Sequence, residues 1–418
     1  MVCRAILALL VLSGGVHAAD WPRWLGPNGD GSTPETVKPW QGKLPTLWKQ
    51  DVGEGNSGPV VAGDRVIVMS LVKGKLEEQL TAYDVKSGKV LWQTAYRRAE
   101  MKTPYGNGPR GTPAVAGGKV YSYGITGLLT CFDFDDGKQL WQVDTAAEFK
   151  PPKLLFGASC SPLVEKDAVL INVGAKGASI VAFHKDTGKV LWKSQDDGPS
   201  YASPIVFGAG ADRQVVFLTQ QGLLSLRPND GQPVWRYPFK DLILESSTTP
   251  VHVNGSVVAS SITLGSVAVA MEEMNQKPAV RLEWKNPTLT CYFATPVAVG
   301  KDHVYAVIGA NPLAALNPFG KKAPPKASLK CIDVKTGKAL WTRPDVGTYH
   351  ATLLRTGDEK LLMLEEPGDL VLIDPNAKAY RELARAKVCG NTWAHPAIAN
   401  GHIFVRDGGT LRCLKLDP

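Results

Sequence analysis

Short apolar runs separated by turn residues recur along the chain. Residues 60–62 and 66–69 are apolar runs joined through Gly63 and Asp64, and the arrangement recurs over residues 114–121 and 397–404. Glycine beside Asp, Asn or a second Gly between β-branched runs favours a tight hairpin. No long segment has the apolar spacing of an amphipathic helix. The pattern predicts an all-β chain built from hairpins.

A second pattern places a tryptophan after a polar turn. The template reads small-x-Asp-x-x-x-Gly-Lys-x-x-Trp, where x is any residue. In one copy His184 takes the place of Asp. The template is clearest in the segments that end at Trp92, Trp141, Trp192 and Trp341. Asp accepts hydrogen bonds from its own turn, and Gly adopts a positive φ that a Cβ opposes. Each copy therefore predicts a hairpin whose last strand carries Trp.

A third pattern marks where each unit begins. A small or polar residue followed by Pro precedes an apolar run seven times, and an eighth copy keeps the position with Thr in place of Pro. These positions are Pro59, Pro113, Pro162, Pro204, Pro250, Pro296, Thr352 and Pro396. A period of about 40–55 residues is typical of four short strands per unit in a propeller. The sequence predicts an eight-bladed β-propeller of four-stranded antiparallel blades.

The two ends of the repeat array are complementary. Residues 47–51 resemble a last strand without earlier strands, and residues 411–416 resemble a third strand without a fourth. Pairing them completes one blade and removes both open sheet edges. We therefore expect the N-terminal strand to close the ring in the C-terminal blade. The expected division is a signal peptide over 1–19, an extension over 20–43 and the propeller over 44–418.

Two blades depart from the template. The fifth keeps Trp284 but lacks the Asp-to-Gly turn, and the seventh keeps Asp374 but lacks both Gly and Trp. A long insertion in the sixth blade, residues 309–326, is rich in Pro, Asn and Lys. Loops of this length are often functional or disordered.

The first residues have the features of a cleaved secretory signal. Arg4 is followed by a short apolar run and by small residues near Ala18, and the run is too short to cross a bilayer. Cys3 precedes the apolar run, whereas a lipoprotein cysteine follows it. We expect a periplasmic or secreted monomer that is neither lipid-anchored nor membrane-spanning. The net charge of +8 is dispersed, which argues against a nucleic-acid partner.

Six of the seven cysteines lie in the predicted mature chain, and the sequence does not decide whether any two form a disulfide. Cys131, Cys331 and Cys413 fall at one position of the repeat, where other copies have Ala or Ser, which indicates small buried residues. No cysteine or histidine spacing suits zinc, and we predict no metal site.

The repeated Asp-to-Trp motif resembles the tryptophan-docking motif of propellers with pyrroloquinoline-quinone-like repeats. The same motif occurs in quinoprotein dehydrogenases and in a lipoprotein of outer-membrane β-barrel assembly, which has no known chemistry. The start, residues 20–31, is similar to exported planctomycete-type propellers. The resemblance implies the fold, whereas function taken from it is analogy.

The motif tryptophans are predicted to dock neighbouring blades rather than to form a ligand platform, because a ring joint needs one per blade whereas a ligand site needs one copy. The predicted docking residues are Trp48, Trp92, Trp141, Trp192, Trp235, Trp284 and Trp341.

The segments before each first strand approach the axis of a propeller, where a rigid scaffold positions loops for binding. The residues we predict to line a ligand-binding axial funnel are Arg110, Tyr201, Tyr349, His350, Trp393 and His395. The alternative interpretation of the Ser, Thr and Asn residues nearby is that they satisfy backbone groups around the axis.

The function favoured by these patterns is a non-catalytic exported propeller that binds envelope proteins or polymers, with no catalytic residue and no cofactor. One alternative is an alcohol or sugar dehydrogenase that uses pyrroloquinoline quinone and calcium, and another is a polysaccharide-binding module.

The sequence has no adjacent cysteine pair and no Cys-x-x-Cys-His motif, both common among quinoprotein dehydrogenases. Near the blade starts the acidic residues are few: Glu54, Glu245 and Asp345. The segment from Asn28 to Gly31 lacks the later ligands of a calcium loop, and no G-x-S-x-G motif suggests a hydrolase.

Overall fold

The computed structural model describes residues 20–274, 277–309 and 326–416. These residues form eight four-stranded antiparallel sheets, which confirms the predicted eight-bladed propeller. The predicted signal peptide, Cys3 and nearly all of the 309–326 insertion lie outside the described residues. Within those residues, no helix has the length and apolarity needed to span a membrane.

In each of the first seven blades the strands follow one another from the axis outwards. Blade 1 contains β2 (Val60–Ala62), β3 (Arg65–Leu71), β4 (Glu77–Asp84) and β5 (Val90–Arg97). Blade 2 contains β6 (Ala114–Ala116), β7 (Lys119–Tyr123), β8 (Leu128–Asp133) and β9 (Gln139–Asp144). Blade 3 contains β10 (Leu163–Glu165), β11 (Ala168–Ala175), β12 (Ala178–His184) and β13 (Val190–Ser194). Blade 4 contains β14 (Ile205–Phe207), β15 (Gln214–Leu218), β16 (Gly222–Leu226) and β17 (Pro233–Pro238).

The second half of the ring repeats this order. Blade 5 contains β18 (Val251–Val253), β19 (Ser256–Ser261), β20 (Gly265–Met274) and β21 (Lys277–Asn286). Blade 6 contains β22 (Val297–Val299), β23 (His303–Ile308), β24 (Ala327–Asp333) and β25 (Ala339–Gly347). Blade 7 contains β26 (Ala351–Arg355), β27 (Leu361–Glu365), β28 (Asp369–Asp374) and β29 (Arg381–Lys387). Blade 8 contains β30 (Ala397–Ala399), β31 (His402–Arg406), β32 (Thr410–Lys415) and β1 (Thr46–Asp51). A short helix, α1 (Thr145–Phe149), and a 3-10 turn, Gly210–Asp212, lie between strands.

The N-terminal strand β1 closes the ring, as predicted. It pairs antiparallel with β32, and Trp48 lies opposite Cys413. The buried Arg406 at the end of β31 reinforces this closure from the last blade to the first. Its guanidinium donates to the carbonyls of Ser57 at 3.1 Å, Met69 at 2.7 Å and Gly53 at 2.6 Å. Burial lowers the pKa of Arg406 to about 10.

The motif tryptophans join each blade to the next, and the core lies mainly between blades. Trp92 of blade 1 donates to the carbonyl of Phe134 in blade 2 at 3.0 Å, and its indole covers Gly137. Gly137 has φ +71°, and a Cβ there would lie 2.4 Å from the ring. Trp48, Trp141, Trp192, Trp284 and Trp341 donate in the same way to carbonyls of the following blade. Trp235 instead donates to the Gln214 side chain of its own blade, because blade 5 lacks the Asp-to-Gly turn.

Blade 7 lacks the tryptophan because its large and small positions are exchanged. In the other blades a small residue lies opposite Trp, as Ala82 does opposite Trp92. In blade 7, Leu372 lies opposite Ala384 at this register, and both are buried. The exchange keeps the total apolar volume at the joint between the blades. Apolar cores tolerate substitutions that conserve their volume.

The N-terminal extension, residues 20–43, crosses the propeller face that carries the Asp-to-Gly turns. Trp21 forms a bridge with Val61 of blade 1, and Ser32 forms one with Arg355 of blade 7. A side-chain oxygen of Glu35 accepts from the backbone of Gly401 in blade 8 at 2.9 Å. These contacts fix the extension across the end of the axial channel.

All six cysteines among the described residues are buried with free thiols. Cys131, Cys331 and Cys413 occupy the small-residue register opposite Trp141, Trp341 and Trp48. Burial raises the pKa of the Cys131 and Cys413 thiols to about 12. They therefore act as small apolar residues in the blade joints.

Candidate functional site

The segments that precede the first strands surround a cavity of about 160 Å³ on the propeller axis. Its walls are mainly aromatic. The rings that line it are Trp24, Tyr105, Phe156, Tyr201, Tyr292, Phe293, Tyr349 and Trp393. The remaining lining residues are Asn56, Arg110, Ser159, Ser161, Ser203 and Ser247. We call this space the axial cavity.

Two carboxylates behind the wall hold the aromatic residues in place. Glu366 accepts from the Trp393 indole at 2.8 Å and from the backbone of Tyr349 at 2.8 Å. Glu245 accepts from the Tyr292 hydroxyl at 2.5 Å. Burial, followed by the neighbouring Glu245, raises the pKa of Tyr292 far above the ordinary phenol value, so the phenol stays neutral. Wall rings whose polar ends are hydrogen-bonded keep one orientation and lose little entropy on binding a ligand.

Arg110 is the one Lys, Arg, His, Asp or Glu side chain among the described residues that line the axial cavity. Its Nε donates to the carbonyl of Phe156 at 3.0 Å, and Nη2 donates to the Thr103 hydroxyl at 2.9 Å. Nη2 also approaches the carbonyls of Tyr105 and Gly106 at 3.3 and 3.1 Å. No carboxylate of the described residues lies within 4 Å of the guanidinium. Burial lowers the pKa of Arg110, yet Arg stays protonated at neutral pH.

A chain of hydroxyls links neighbouring blades around the axis. The Thr112 hydroxyl accepts from the backbone of Gly58 at 3.2 Å, and the Ser161 hydroxyl accepts from the backbone of Thr112 at 3.0 Å. The Ser203 hydroxyl in turn accepts from the backbone of Ser161 at 2.9 Å. In these bonds the Ser and Thr side chains at the blade starts satisfy backbone N–H groups around the axis, which is the alternative interpretation of these residues. Ser161 and Ser203 have both roles, because they also line the axial cavity.

Trp24 forms the floor of the axial cavity. The N-terminal extension carries this indole into the channel from the opposite face, where it donates to the Thr249 hydroxyl at 2.9 Å. The Trp24 ring also lies 4.4 Å from the ring of His395. Because the extension crosses the far end of the channel, the described part of the cavity faces the side of the blade-start segments.

The two predicted site histidines do not line the axial cavity. His350 is 2 % exposed, stacks on Phe293 at 4.8 Å and shares a hydrogen bond of 3.0 Å with the Thr352 hydroxyl. His395 is 4 % exposed and lies beneath Trp24. Burial lowers the pKa of both imidazoles to about 3. Both are therefore neutral and support the rings of the wall and floor from behind.

The other four predicted funnel residues meet at the axial cavity: Arg110, Tyr201, Tyr349 and Trp393. Asn56, Tyr105, Ser161, Ser203 and Tyr292 belong to the blade-start segments that the sequence marks. Sequence reasoning did not identify Trp24, Phe156, Phe293, Ser159 or Ser247 as lining residues. For Trp24 a signal existed, since three tryptophans in a short extension outside the repeats need a surface to cover them. Phe156 and Phe293 carried no comparable signal.

The sequence was compared with known protein families and with curated proteins. The family described as outer membrane protein assembly factor BamB matches residues 41–109 and 76–318. The chain belongs to this family. A BamB protein of Yersinia pestis is 24 % identical over 317 residues, which cover 73 % of this chain and 74 % of that protein. The quinohemoprotein alcohol dehydrogenase ADH IIB of Pseudomonas putida is 26 % identical over 195 residues, which cover 44 % of this chain and 26 % of the enzyme.

Two solved structures share the fold at low sequence identity. BamB of Moraxella catarrhalis superposes with a TM-score of 0.61 at 14 % identity and covers 89 % of this chain and 97 % of that one. A europium-containing methanol dehydrogenase superposes with a TM-score of 0.65 at 12 % identity and covers 95 % of this chain and 98 % of that one. The propeller is thus common to BamB proteins and to quinoprotein dehydrogenases, and the fold does not separate them.

The described lining of the axial cavity does not fit a quinone bound through calcium. Calcium takes six to eight oxygen ligands, with carboxylates prominent among them. The described lining contains no Asp or Glu, and no three His, Cys, Asp or Glu residues of the described chain lie together as a metal site would require. Glu245 and Glu366 lie behind the wall and are already engaged by Tyr292 and Trp393.

Proposed function

We propose that the protein is an exported binding and scaffold propeller of the cell envelope, whose axial cavity receives a group carried by an envelope protein or polymer. Membership of the BamB family supports the scaffold role. The observation that carries the binding role is an axial cavity with held aromatic walls and a closed floor. Concave, largely apolar and preformed sites with a few polar groups are those that bind ligands.

The polar groups of the axial cavity support binding rather than catalysis. A general acid or base works best with a pKa near the working pH. Arg110 stays charged, and burial raises the pKa of Tyr201 and Tyr292 further from neutrality. The imidazoles that titrate nearest neutrality in water are buried behind the wall, with a pKa of about 3.

Site-specific photo-cross-linking in the native envelope tests this function. A photoreactive residue at Tyr105, which is 51 % exposed at the cavity rim, should capture a discrete envelope component. The matched control is Leu91, which is 46 % exposed on an outer strand. A label at Leu91 should not capture that component. Identical products from both positions would contradict binding at the axial cavity.

The likeness to quinoprotein dehydrogenases gives the second candidate, an oxidoreductase. Calorimetric titration of pyrroloquinoline quinone with Ca²⁺ into the mature protein, followed by dye reduction with alcohols and sugars, separates the two. We expect no saturable heat. Saturable binding with turnover would replace the scaffold proposal by the dehydrogenase.

A further inference from the structure

The axial cavity presents hydrogen-bond donors, and no carboxylate of the described residues lines it. The Glu54 carboxylate acts on Arg110 through its charge from outside the lining, where it accepts from the backbone of Gly108. Arg110 uses Nε and Nη2 on neutral oxygens, and its Nη1 has no partner among the described residues. A guanidinium forms its strongest hydrogen bonds with a carboxylate or phosphate. An anionic group of a ligand is the partner that Arg110 lacks.

Two serine hydroxyls add further donors. Ser161 and Ser203 each accept a backbone N–H, from Thr112 and Ser161 respectively. Neither hydroxyl has an acceptor for its own hydrogen among the described residues, so both O–H groups remain available in the axial cavity. The lining therefore suits a ligand rich in acceptor oxygens.

The aromatic walls define the shape of that ligand. Tyr105 meets Trp393 edge-to-face at 5.5 Å, and Phe293 meets Trp393 at 5.3 Å. A cavity of about 160 Å³ between such rings accommodates one ring of a ligand, comparable with the roughly 150 Å³ apolar cavity that takes up benzene in another protein. The C–H faces of a pyranose are apolar, whereas its oxygens point outwards around the ring edge.

The floor determines which part of a polymer can enter. Trp24 is held by Thr249 and backed by His395 across the channel. A chain therefore does not pass through the axis, and only a terminal or branch residue reaches Arg110.

From these features we infer that the axial cavity binds the terminal or branch residue of an acidic glycan, a pyranose that bears a carboxylate. The carboxylate pairs with Arg110, the ring packs among the aromatic side chains, and the sugar oxygens accept from Ser161 and Ser203. This inference rests on the proposed function and specifies its polymer. A peptide end fits less well, because each fixed backbone N–H needs an acceptor whereas sugar hydroxyls also accept.

Calorimetric titration with glucuronate and glucose tests this inference. Glucuronate should bind at least about tenfold more tightly than glucose, since hydrogen bonds to charged groups are stronger. Arg110→Gln should abolish that preference, so that glucuronate binds no more tightly than glucose. The matched control, Arg381→Gln, changes an exposed arginine paired with Asp374 and should keep the preference. Trp24→Ala should weaken both sugars together, because it removes the floor and not the charge.

Equal affinities for the two sugars, absence of binding by either, or equal losses in Arg110→Gln and Arg381→Gln would overturn the inference. Tighter binding of a tripeptide with a free C-terminal carboxylate would assign the cavity to a peptide instead. Thermal unfolding of each variant shows whether a loss reflects misfolding. If Tyr105 cross-links persist without glucuronate binding, the scaffold function stands and the acidic glycan is wrong.

Discussion

At the scale of single residues, the position of a residue in the repeat predicts which part of the propeller it lies in. It does not predict which way the side chain points. Tyr349 and His350 are adjacent in sequence, yet Tyr349 lines the axial cavity and His350 is buried behind it. Residues 348 and 349 form a bend between β25 and β26, so the side chains of Tyr349 and His350 leave the backbone in different directions. The sequence could therefore place residues such as Arg110 and His395 near the axis without deciding which of them face the cavity.

The buried histidines predict an acid-dependent loss of stability. The folded-state pKa of His350 and His395 is about 3, whereas an unfolded histidine has a pKa of about 6.5. Between these values the unfolded chain binds more protons, so the free energy of unfolding falls as pH falls from about 6.5 towards 3. Chemical unfolding measured across this range should have a shallower pH slope in His395→Leu, by up to about 1.4 kcal/mol per pH unit.

His184→Leu serves as the control for that experiment, because His184 lies at a partly exposed turn of blade 3. Parallel pH profiles for wild type and His395→Leu would show that His395 is not a buried neutral group.

At the scale of elements, the repeated hairpins specify both the blades and their joints. The turn and tryptophan patterns predicted the strands because turn chemistry and period are local properties. The exchange of Leu372 and Ala384 in blade 7 was not predicted, since it is visible only once the register is known. The contact of Trp24 with Thr249 joins residues 225 positions apart and has no repeat counterpart.

Removing one joint tryptophan should weaken the ring considerably. Trp92 is 7 % exposed and lies against Gly137 of the next blade. Trp92→Ala should reduce the free energy of unfolding by about 3–5 kcal/mol, through lost burial and the cavity that remains. Denaturant unfolding followed by circular dichroism measures this loss.

The neighbouring Leu91 provides the control for Trp92. It is 46 % exposed, so Leu91→Ala should change stability by no more than about 0.5 kcal/mol. Similar losses for the two variants would mean that Trp92 is not a joint between blades.

At the scale of the whole molecule, closure of the ring depends on contacts between distant parts of the chain. Arg406 of blade 8 satisfies three carbonyls of the segment that leads into and through blade 1. Arg406→Met should destabilise the protein by about 3–5 kcal/mol, because buried carbonyls lose their donor. Limited proteolysis should then cut faster between β1 and β2 than in wild type.

Arg381→Met provides the comparison for ring closure, since Arg381 is exposed on blade 7. This variant should keep the wild-type unfolding midpoint and cleavage pattern. Unchanged proteolysis in Arg406→Met would mean that the pairing of β1 with β32 alone keeps the ring closed.

The pairing of β1 with β32 also constrains how the protein matures. Because a chain is synthesised from its N-terminus, β1 emerges first and its partner β32 last. Until then β1 has an open edge in a crowded compartment, where such edges invite wrong partners. Permuting the chain so that it starts and ends between two blades would let every sheet assemble from consecutive strands. Such a permutant should depend less on chaperones while it folds.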